Sequence, residues 1–182
     1  MNDGPSPWVT RFAPLIPAGG KVLDLACGKG RHARFLAAAG HAVEAVDRDG
    51  DALAELGGVA GVATRQADLE GGPWPYFGVT FDGIVVTNYL HRPLLPNLFN
   101  VLGTGGVLIY ETFMVGNERF GKPTDPAYLL RAGELLELVR KRFNVVAFEQ
   151  GIVDQPRAAA IQRICVRRGT DFTLPGSPLP GA

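Results

Sequence analysis

The chain has 182 residues, 46% of them hydrophobic, and its 18 basic and 18 acidic side chains cancel. That length suits one domain with a full core, and the charge balance offers no global field for nucleic acid or an anionic membrane. No apolar run approaches the ~20 residues of a membrane span, and the opening MNDGPSPWVT lacks the layout of a signal peptide, so a cytoplasmic protein is expected.

Met1–Pro7, rich in Gly, Pro and Ser, reads as a flexible flank. A first strand is predicted over Lys21–Ala26, then a tight turn through Gly28 and Gly30 and a helix over Gly30–Ala39 that Gly40 closes. The run HAVEAVD forms a second strand ending at Asp47, which completes a βαβ unit. A short helix over Asp49–Leu56 and a third strand in GVATRQAD follow. The fourth strand, FDGIVVTN, is continuously apolar, as a central parallel strand requires. A crossover helix from His91 to Leu102 starts under Pro93 and Pro96, and GTGG turns into a fifth strand, VLIYETF.

After an insertion over Phe113–Leu130, a helix over Ala132–Phe143 precedes two strand-like runs, NVVAFEQGIV and AAAIQRICVRR. The DQPR between them is too short for a helical crossover, so they pair as an antiparallel hairpin. Gly169–Ala182 reads as a second flexible flank, leaving one domain over 8–168 with its insertion at 113–130. The expected fold class is α/β, a doubly wound, seven-stranded, mostly parallel sheet with an antiparallel C-terminal hairpin strand. Cys27 and Cys165 are too few and too scattered for a disulfide framework or a zinc site, so reduced thiols and no metal are expected.

The stretch VLDLACGKGRHARFL presents bare loop amides at the end of the first strand, and it admits two readings. Gly28-Lys29-Gly30-Arg31-His32-Ala33 also fits the dinucleotide fingerprint G-x-G-x-x-G/A, so the glycines alone do not decide. The terminal hairpin begins to decide, because dinucleotide dehydrogenases repeat a βαβ half. Five parallel strands, a closing hairpin, LDLACGKG and AVDRD together resemble the class I S-adenosylmethionine-dependent methyltransferases over nearly the whole chain, a Rossmann-like fold. In LDLACGKG, Asp24, Ala26, Gly28 and Gly30 stand at the positions of the family's D/E-x-G-x-G-x-G motif, with Ala26 replacing the first glycine. TGGVLIYETF looks like the family's entry into strand five, and NERFGKPTDPAYLLRAGELLELV resembles the insertion of small tellurite-resistance-like members.

The resemblance implies S-adenosylmethionine as cofactor and methyl transfer as the reaction. Asp24 lies in an otherwise apolar strand, where an unpaired carboxylate costs several kcal/mol, so it needs donors from the cofactor or from loop amides. Asp47, with Arg48 beside it, ends strand two, where an acid can accept both ribose hydroxyls; Asp49 suits the helix N-cap better. The resemblance places Asp68 against the adenine amino group and Leu69 against its ring. Arg31 and His32 are either ligand contacts or an exposed helical face, Arg31 being the better contact, and His41 is a charge near a helix C-terminus.

Thr87, Asn88 and Tyr89 follow strand four, where the family's acceptors approach the sulfonium. The stretch TNYLHRP lacks the prolines of the Asn/Asp-Pro-Pro-Tyr/Phe motif of amino-methylating enzymes on DNA, RNA or glutamine. Tyr89, His91 and Arg92 can orient and deprotonate a small polar acceptor, or else open the crossover helix. The insertion, with Phe113, Arg119, Phe120, Tyr128 and then Arg131, reads as a lid over an anionic acceptor, or else as packing over the sheet edge. Methyl transfer to a small-molecule acceptor is therefore expected, without nucleic acid or membrane partners. The alternatives are a protein or RNA methyltransferase, an S-adenosylmethionine-binding regulatory module and, third, a dehydrogenase.

Overall fold

The computed structural model describes residues 4–176; the outer parts of the two expected flanks, 1–3 and 177–182, lie outside them. Among the described residues the strands are β1 (Lys21–Leu25), β2 (Ala42–Asp47), β3 (Val62–Gln66), β4 (Phe81–Thr87), β5 (Leu102–Phe113), β6 (Asn144–Val153) and β7 (Ala159–Arg167). They form one seven-stranded sheet in the order β3-β2-β1-β4-β5-β7-β6. The first five pair in parallel, and β7 runs against both β5 and β6, as the short hairpin connection demands. This order differs from the 3-2-1-4-5-6 order of dinucleotide-binding sheets.

The helices are α1 (Pro7–Phe12), α2 (Arg31–Ala38), α3 (Gly50–Ala54), α4 (Leu95–Asn100) and α5 (Glu134–Val139). Alternation along the strands divides the core in two. On one face Val22, Val43, Ala45, Val85, Val107, Ile109 and Cys165 pack under Trp8 and Phe12 of α1, Ala33 and Leu36 of α2, and Leu53 of α3. On the other, Leu23, Ile84, Val86, Leu108, Tyr110 and Ile164 pack under Leu98 and Phe99 of α4, Leu135 and Val139 of α5, and Trp74 and Tyr76. The same alternation sets four polar residues on the α1/α2 face at its carboxyl edge. Asp24 pairs in register with Val85, and two residues further on Thr87 pairs with Glu111, which pairs with Arg163.

Three expectations change. Residues 4–7 are not a loose flank: Ser6 is buried, its Oγ caps α1 by accepting the Trp8 N–H at 3.1 Å, and Pro7 occupies the first turn. Ser-Pro before Trp8 is an N-cap and N1 signature that the composition of the segment obscured. The expected crossover helix is a 3₁₀ turn over Arg92–Leu94 followed by α4, and Leu102 already belongs to β5. The helix expected over Ala132–Phe143 is trimmed to α5, because Gly133 enters it in a left-handed conformation and residues 140–142 form a turn. Residues 169–176 carry no helix or strand.

Candidate functional site

The loop between β1 and α2 is held by its own backbone and by one acid. Cys27 N–H donates to Val46 O at 3.0 Å and Gly28 N–H to Asp47 Oδ2 at 2.8 Å, which ties the loop to the end of β2. Gly28 has φ +53°, and a Cβ there would meet nothing within 4 Å, so the loop is bare on that side. Gly30 is required for a different reason: a side chain would run into Leu56. Ala26 takes the same left-handed backbone, φ +53°, in spite of its side chain, and Asn88 at the end of β4 has φ +55°. Two strained residues thus mark the carboxyl ends of adjacent strands. The Cys27 thiol is buried and raised by that burial, so it stays neutral.

Asp24 is 1% exposed. One carboxylate oxygen takes the Ala33 amide at the start of α2, while Oδ2 has no hydrogen-bond partner among the described residues. Burial pushes its carboxyl up to about 7, against the pull of that amide and of Arg31, with Asp47 adding to the rise. Asp47 accepts the Gly28 amide on Oδ2 and the Asp49 amide at 3.0 Å on Oδ1. An ionised carboxylate has about four acceptor positions, so capacity remains on both oxygens. Asp49 caps α3 by accepting the Asp51 and Ala52 amides.

Beside this loop lies a cavity of about 170 Å3 lined by Ala26, Asp47, Arg48, Ala67, Asp68, Leu69, Glu70 and Tyr89. Asp68 accepts the Glu70 and Gly71 amides, at 3.0 and 3.1 Å on Oδ1, which hold its carboxyl below the usual range. Leu69 is buried in the core behind it. Tyr89 forms another wall; its backbone carbonyl accepts the Tyr110 hydroxyl at 2.7 Å, and its own buried hydroxyl has no partner of hydrogen-bonding geometry. Burial raises that phenol, and the nearby Glu70 and Asp68 carboxylates raise it further. Three acids, one arginine, a phenol and the aliphatic side chains of Ala26, Ala67 and Leu69 around one hollow suit a ligand rich in hydroxyl and amino donors with a flat ring. Among the described residues no cluster of three or more His, Cys, Asp or Glu is placed to hold a metal ion, and no helix is long and apolar enough to cross a membrane.

A family model described as a methyltransferase domain matches residues 22–106, which runs from β1 through the glycine loop and cavity to the start of β5. That stretch is similar to a methyltransferase domain, and the sheet around it has the class I methyltransferase fold. Among solved structures, TehB from Haemophilus influenzae superposes with a TM-score of 0.71 at 20% identity, over 86% of this chain and 60% of that one. A TehB-like SAM-dependent methyltransferase from Corynebacterium glutamicum gives 0.65 at 19% identity, over 88% of this chain and 86% of that one. An S-adenosylmethionine-dependent methyltransferase from Mesorhizobium loti gives 0.66 at 19% identity, over 86% and 95%. No curated protein matches. At these identities the superpositions establish the fold.

Within the matched region the expected cofactor residues gather. Ala26, Asp47, Arg48, Asp68 and Leu69 line the cavity, with Asp24, Gly28 and Gly30 on the adjoining strand and loop. Ala67 and Glu70, which flank the expected pair Asp68 and Leu69, join them. Tyr89, expected on the acceptor, faces this cavity instead. Arg31 donates to Gly4 O at 3.2 Å and faces Asp24. Thr87 and Asn88 end β4, Thr87 Oγ1 standing 3.5 Å from His32 Nδ1. His91 precedes the 3₁₀ turn and faces Asp68. His41, expected near a helix C-terminus, follows the end of α2 and is buried.

The expected acceptor residues do not gather. Arg92 is a structural rivet: Nε and Nη2 grip the Glu134 carboxylate at 2.7 and 3.0 Å, and Nη1 and Nη2 donate to the Ala127 and Leu129 carbonyls. Although burial alone would raise the Glu134 carboxyl, Arg92 and the Arg131 amide hold it below its usual range. Arg131 points back to Glu134, at 3.3 Å, at the start of α5. Phe113 is buried with Leu129, Ala159 and Ile161. Arg119 lies over the ring of half-exposed Phe120. The insertion is closed on itself by the Val115 to Leu130 backbone bond and sewn to β7 by the Met114 to Ala160 backbone bond and by Asn117, whose side chain spans Pro123 O and Ala160 N. Among the described residues none from 113–131 lines the cavity.

Proposed function

We propose that the protein transfers a methyl group from S-adenosylmethionine to a small-molecule acceptor. The observation that carries this reading is the arrangement of Asp24, bare Gly28 and Asp47 around one loop at the carboxyl edge of the sheet, opening onto the cavity. Asp47 is placed to accept ribose hydroxyls, Asp68 and Leu69 to take the amino edge and face of adenine, and Asp24 to receive the ammonium end on its unpaired oxygen. Coclaurine N-methyltransferase, a structural relative with a TM-score of 0.58 at 18% identity over 75% of this chain and 47% of that one, is bound to N-methylheliamine and SAH. That pairing of a nucleoside product with a small amine supports the reading.

When bound, the sulfonium supplies an activated methyl group whose leaving group needs no help. The protein's part is alignment and exclusion of water, which can account for about 7–11 kcal/mol of barrier. The acceptor approaches Thr87 and Asn88 at the end of β4, where the strained Asn88 backbone holds the strand end open to the site. With Arg92 committed to Glu134, the acceptor side has no free arginine on the crossover, so a neutral or soft nucleophile fits better than an oxyanion.

Calorimetric titration should show binding of S-adenosylmethionine and S-adenosylhomocysteine and none of NADH. Asp47→Ala should weaken S-adenosylhomocysteine binding by about 1–3 kcal/mol, since ribose hydroxyls lose a charged acceptor. Tight NADH binding without sulfonium binding would sink the reading. A mass spectrum of extract treated with labelled cofactor would name the acceptor, and label on protein or RNA alone would replace the small molecule with a macromolecule.

A further inference from the structure

The residue the sequence left undecided beside Arg31 is the one the structure encloses most fully. His32 is 1% exposed in the inward stripe of α2 with Ala33 and Leu36. Its Nε2 lies 3.1 Å from the Ser6 backbone nitrogen. An amide N–H can only donate, so Nε2 is an acceptor without a proton. Burial, with Arg31 adjoining, keeps the ring neutral, holding it near 3. A neutral imidazole with a bare Nε2 carries its proton on Nδ1, and Nδ1 faces Thr87 Oγ1 at 3.5 Å. Thr87 is therefore the acceptor of that contact, which leaves its own O–H to donate elsewhere at the end of β4.

The Ser6 end of this contact belongs to a longer run. Gly4 O accepts from Arg31, Ser6 N–H donates to His32, and Ser6 Oγ donates to Glu111 Oε1 at 2.8 Å. Glu111 is steadied by Arg163 at 3.4 Å, whose guanidinium stacks 4.8 Å above the Trp8 ring. Residues 4–6 thus reach from α2 to β5, and in the strand order β1-β4-β5 that path crosses the carboxyl ends of β1 and β4. On that same face, at the end of β1, is Asp24 with one oxygen sealed from solvent and unpaired. Ser6 is the last residue before α1, which Trp8, Val9 and Phe12 anchor in the core, so 4–6 is a short strap on a fixed root.

We propose that His32 is a positioning residue of the methyl-transfer site, a fixed-tautomer imidazole that latches this strap over Asp24 and sets the Thr87 hydroxyl as a donor toward the reacting ligands. The proposal rests on the methyltransferase reading, and it adds a wall that the insertion had been expected to supply. The latch must open for ligand to exchange and close for Asp24 to be shielded from water.

Two conservative variants separate the halves of the contact. His32→Gln can place an acceptor where Nε2 stands and keep the Ser6 amide paired, whereas His32→Asn keeps a donor near Nδ1 and loses it; His32→Phe loses both. Nitrogen-15 spectra of the imidazole should show the proton on Nδ1. Hydrogen exchange should show the Ser6 amide protected in wild type and His32→Gln, and unprotected in His32→Asn and His32→Phe. Stopped-flow dissociation of S-adenosylhomocysteine should be about tenfold faster in His32→Phe and close to wild type in His32→Gln, the step expected for one lost buried hydrogen bond. Circular dichroism confirms that each variant is folded. A proton on Nε2, or equal dissociation rates in folded variants with wild type binding normally, overturns the latch alone. No binding by wild type overturns the proposed function, and the latch as a device of that site falls with it.

Discussion

The carboxyl edge of β1, β2 and β4 and the insertion over 113–130 are built on opposite terms. In the insertion and where it leads into α5 the polar groups named above are matched: Asn117 spans two chain segments, the backbone is sewn to β7, and Glu134 of α5 takes Arg92 and the Arg131 amide. At the strand edge the account stays open, with Asp24 Oδ2 and Tyr89 Oη buried and unpaired and Ala26 and Asn88 in a left-handed backbone. Buried polar groups without partners cost free energy, so a fold retains them where something else pairs with them. Arginines and aromatics on a long insertion resemble a binding lid in sequence, but here Phe113 is buried against the sheet, Arg119 lies over Phe120 and Arg131 turns to Glu134.

The sharpest break of this comparison is at Glu134. Glu134→Ala strands the Arg92 guanidinium on two carbonyls and removes the acceptor for the Arg131 amide in a spot 6% exposed. A loss of about 3–5 kcal/mol in unfolding free energy is expected, with S-adenosylhomocysteine affinity unchanged in the folded fraction. Urea denaturation and calorimetry check the two halves. Lost affinity at preserved stability would return the insertion to the site.

The open account at the strand edge has a pH signature in which two groups oppose each other. Asp24 has its ordinary value of 3.8 raised to about 7 by burial, with Arg31 lowering it and Asp47 raising it. The folded state holds the extra proton in that window, so this contribution to stability falls as pH rises from 4 to 7. His32 has its ordinary 6.5 lowered to about 3 by burial and by Arg31. There the unfolded state holds the extra proton, so stability is fully present above 6.5 and is lost as pH falls. Between about pH 4 and 6.5 the two slopes cancel in wild type. The difference in unfolding free energy, Asp24→Asn minus wild type, should therefore rise by about 1.4 kcal/mol per pH unit across this range. For His32→Gln the difference should fall by a similar slope. Urea titrations at several pH values test both, and flat differences would mean that the carboxyl is paired and charged in solution.

Much of the fold could be read from the sequence because it depends on local pattern: apolar runs for β1 and β4, the glycine turn, the caps, and a connection too short for a crossover. The acids at strand ends were legible for the same reason, since the carboxyl edge follows from strand direction. The partners were not. Arg92 meets Glu134 across 42 positions of chain, and Ser6 meets Glu111 across 105, and nothing local in either residue names the other. His32 lay between these cases: its place in a stripe with Ala33 and Leu36 marked it as inward, which separates it from Arg31 one residue earlier.

The smallest effect expected is at Ala26, and it tests whether the strain at the strand edge serves the site. A side chain as small as that of alanine still allows close approach at a glycine position, so conformation and not bulk is the issue here. At φ +53° the Cβ crowds the backbone, at a cost of roughly 1–2 kcal/mol for an L-residue. Ala26→Gly removes that cost in the folded state and adds freedom to the unfolded chain, which offsets it by about 0.4–1 kcal/mol. A net gain of at most about 1.6 kcal/mol is expected, read as a shift in the urea midpoint at constant slope. Because Ala26 also lines the cavity, the same variant measures what its methyl group does there. Unchanged S-adenosylhomocysteine affinity with raised stability would make the alanine a tolerated strain. Weaker affinity despite the relieved backbone would show that the methyl packs against the bound nucleoside, so that the strain is retained for contact.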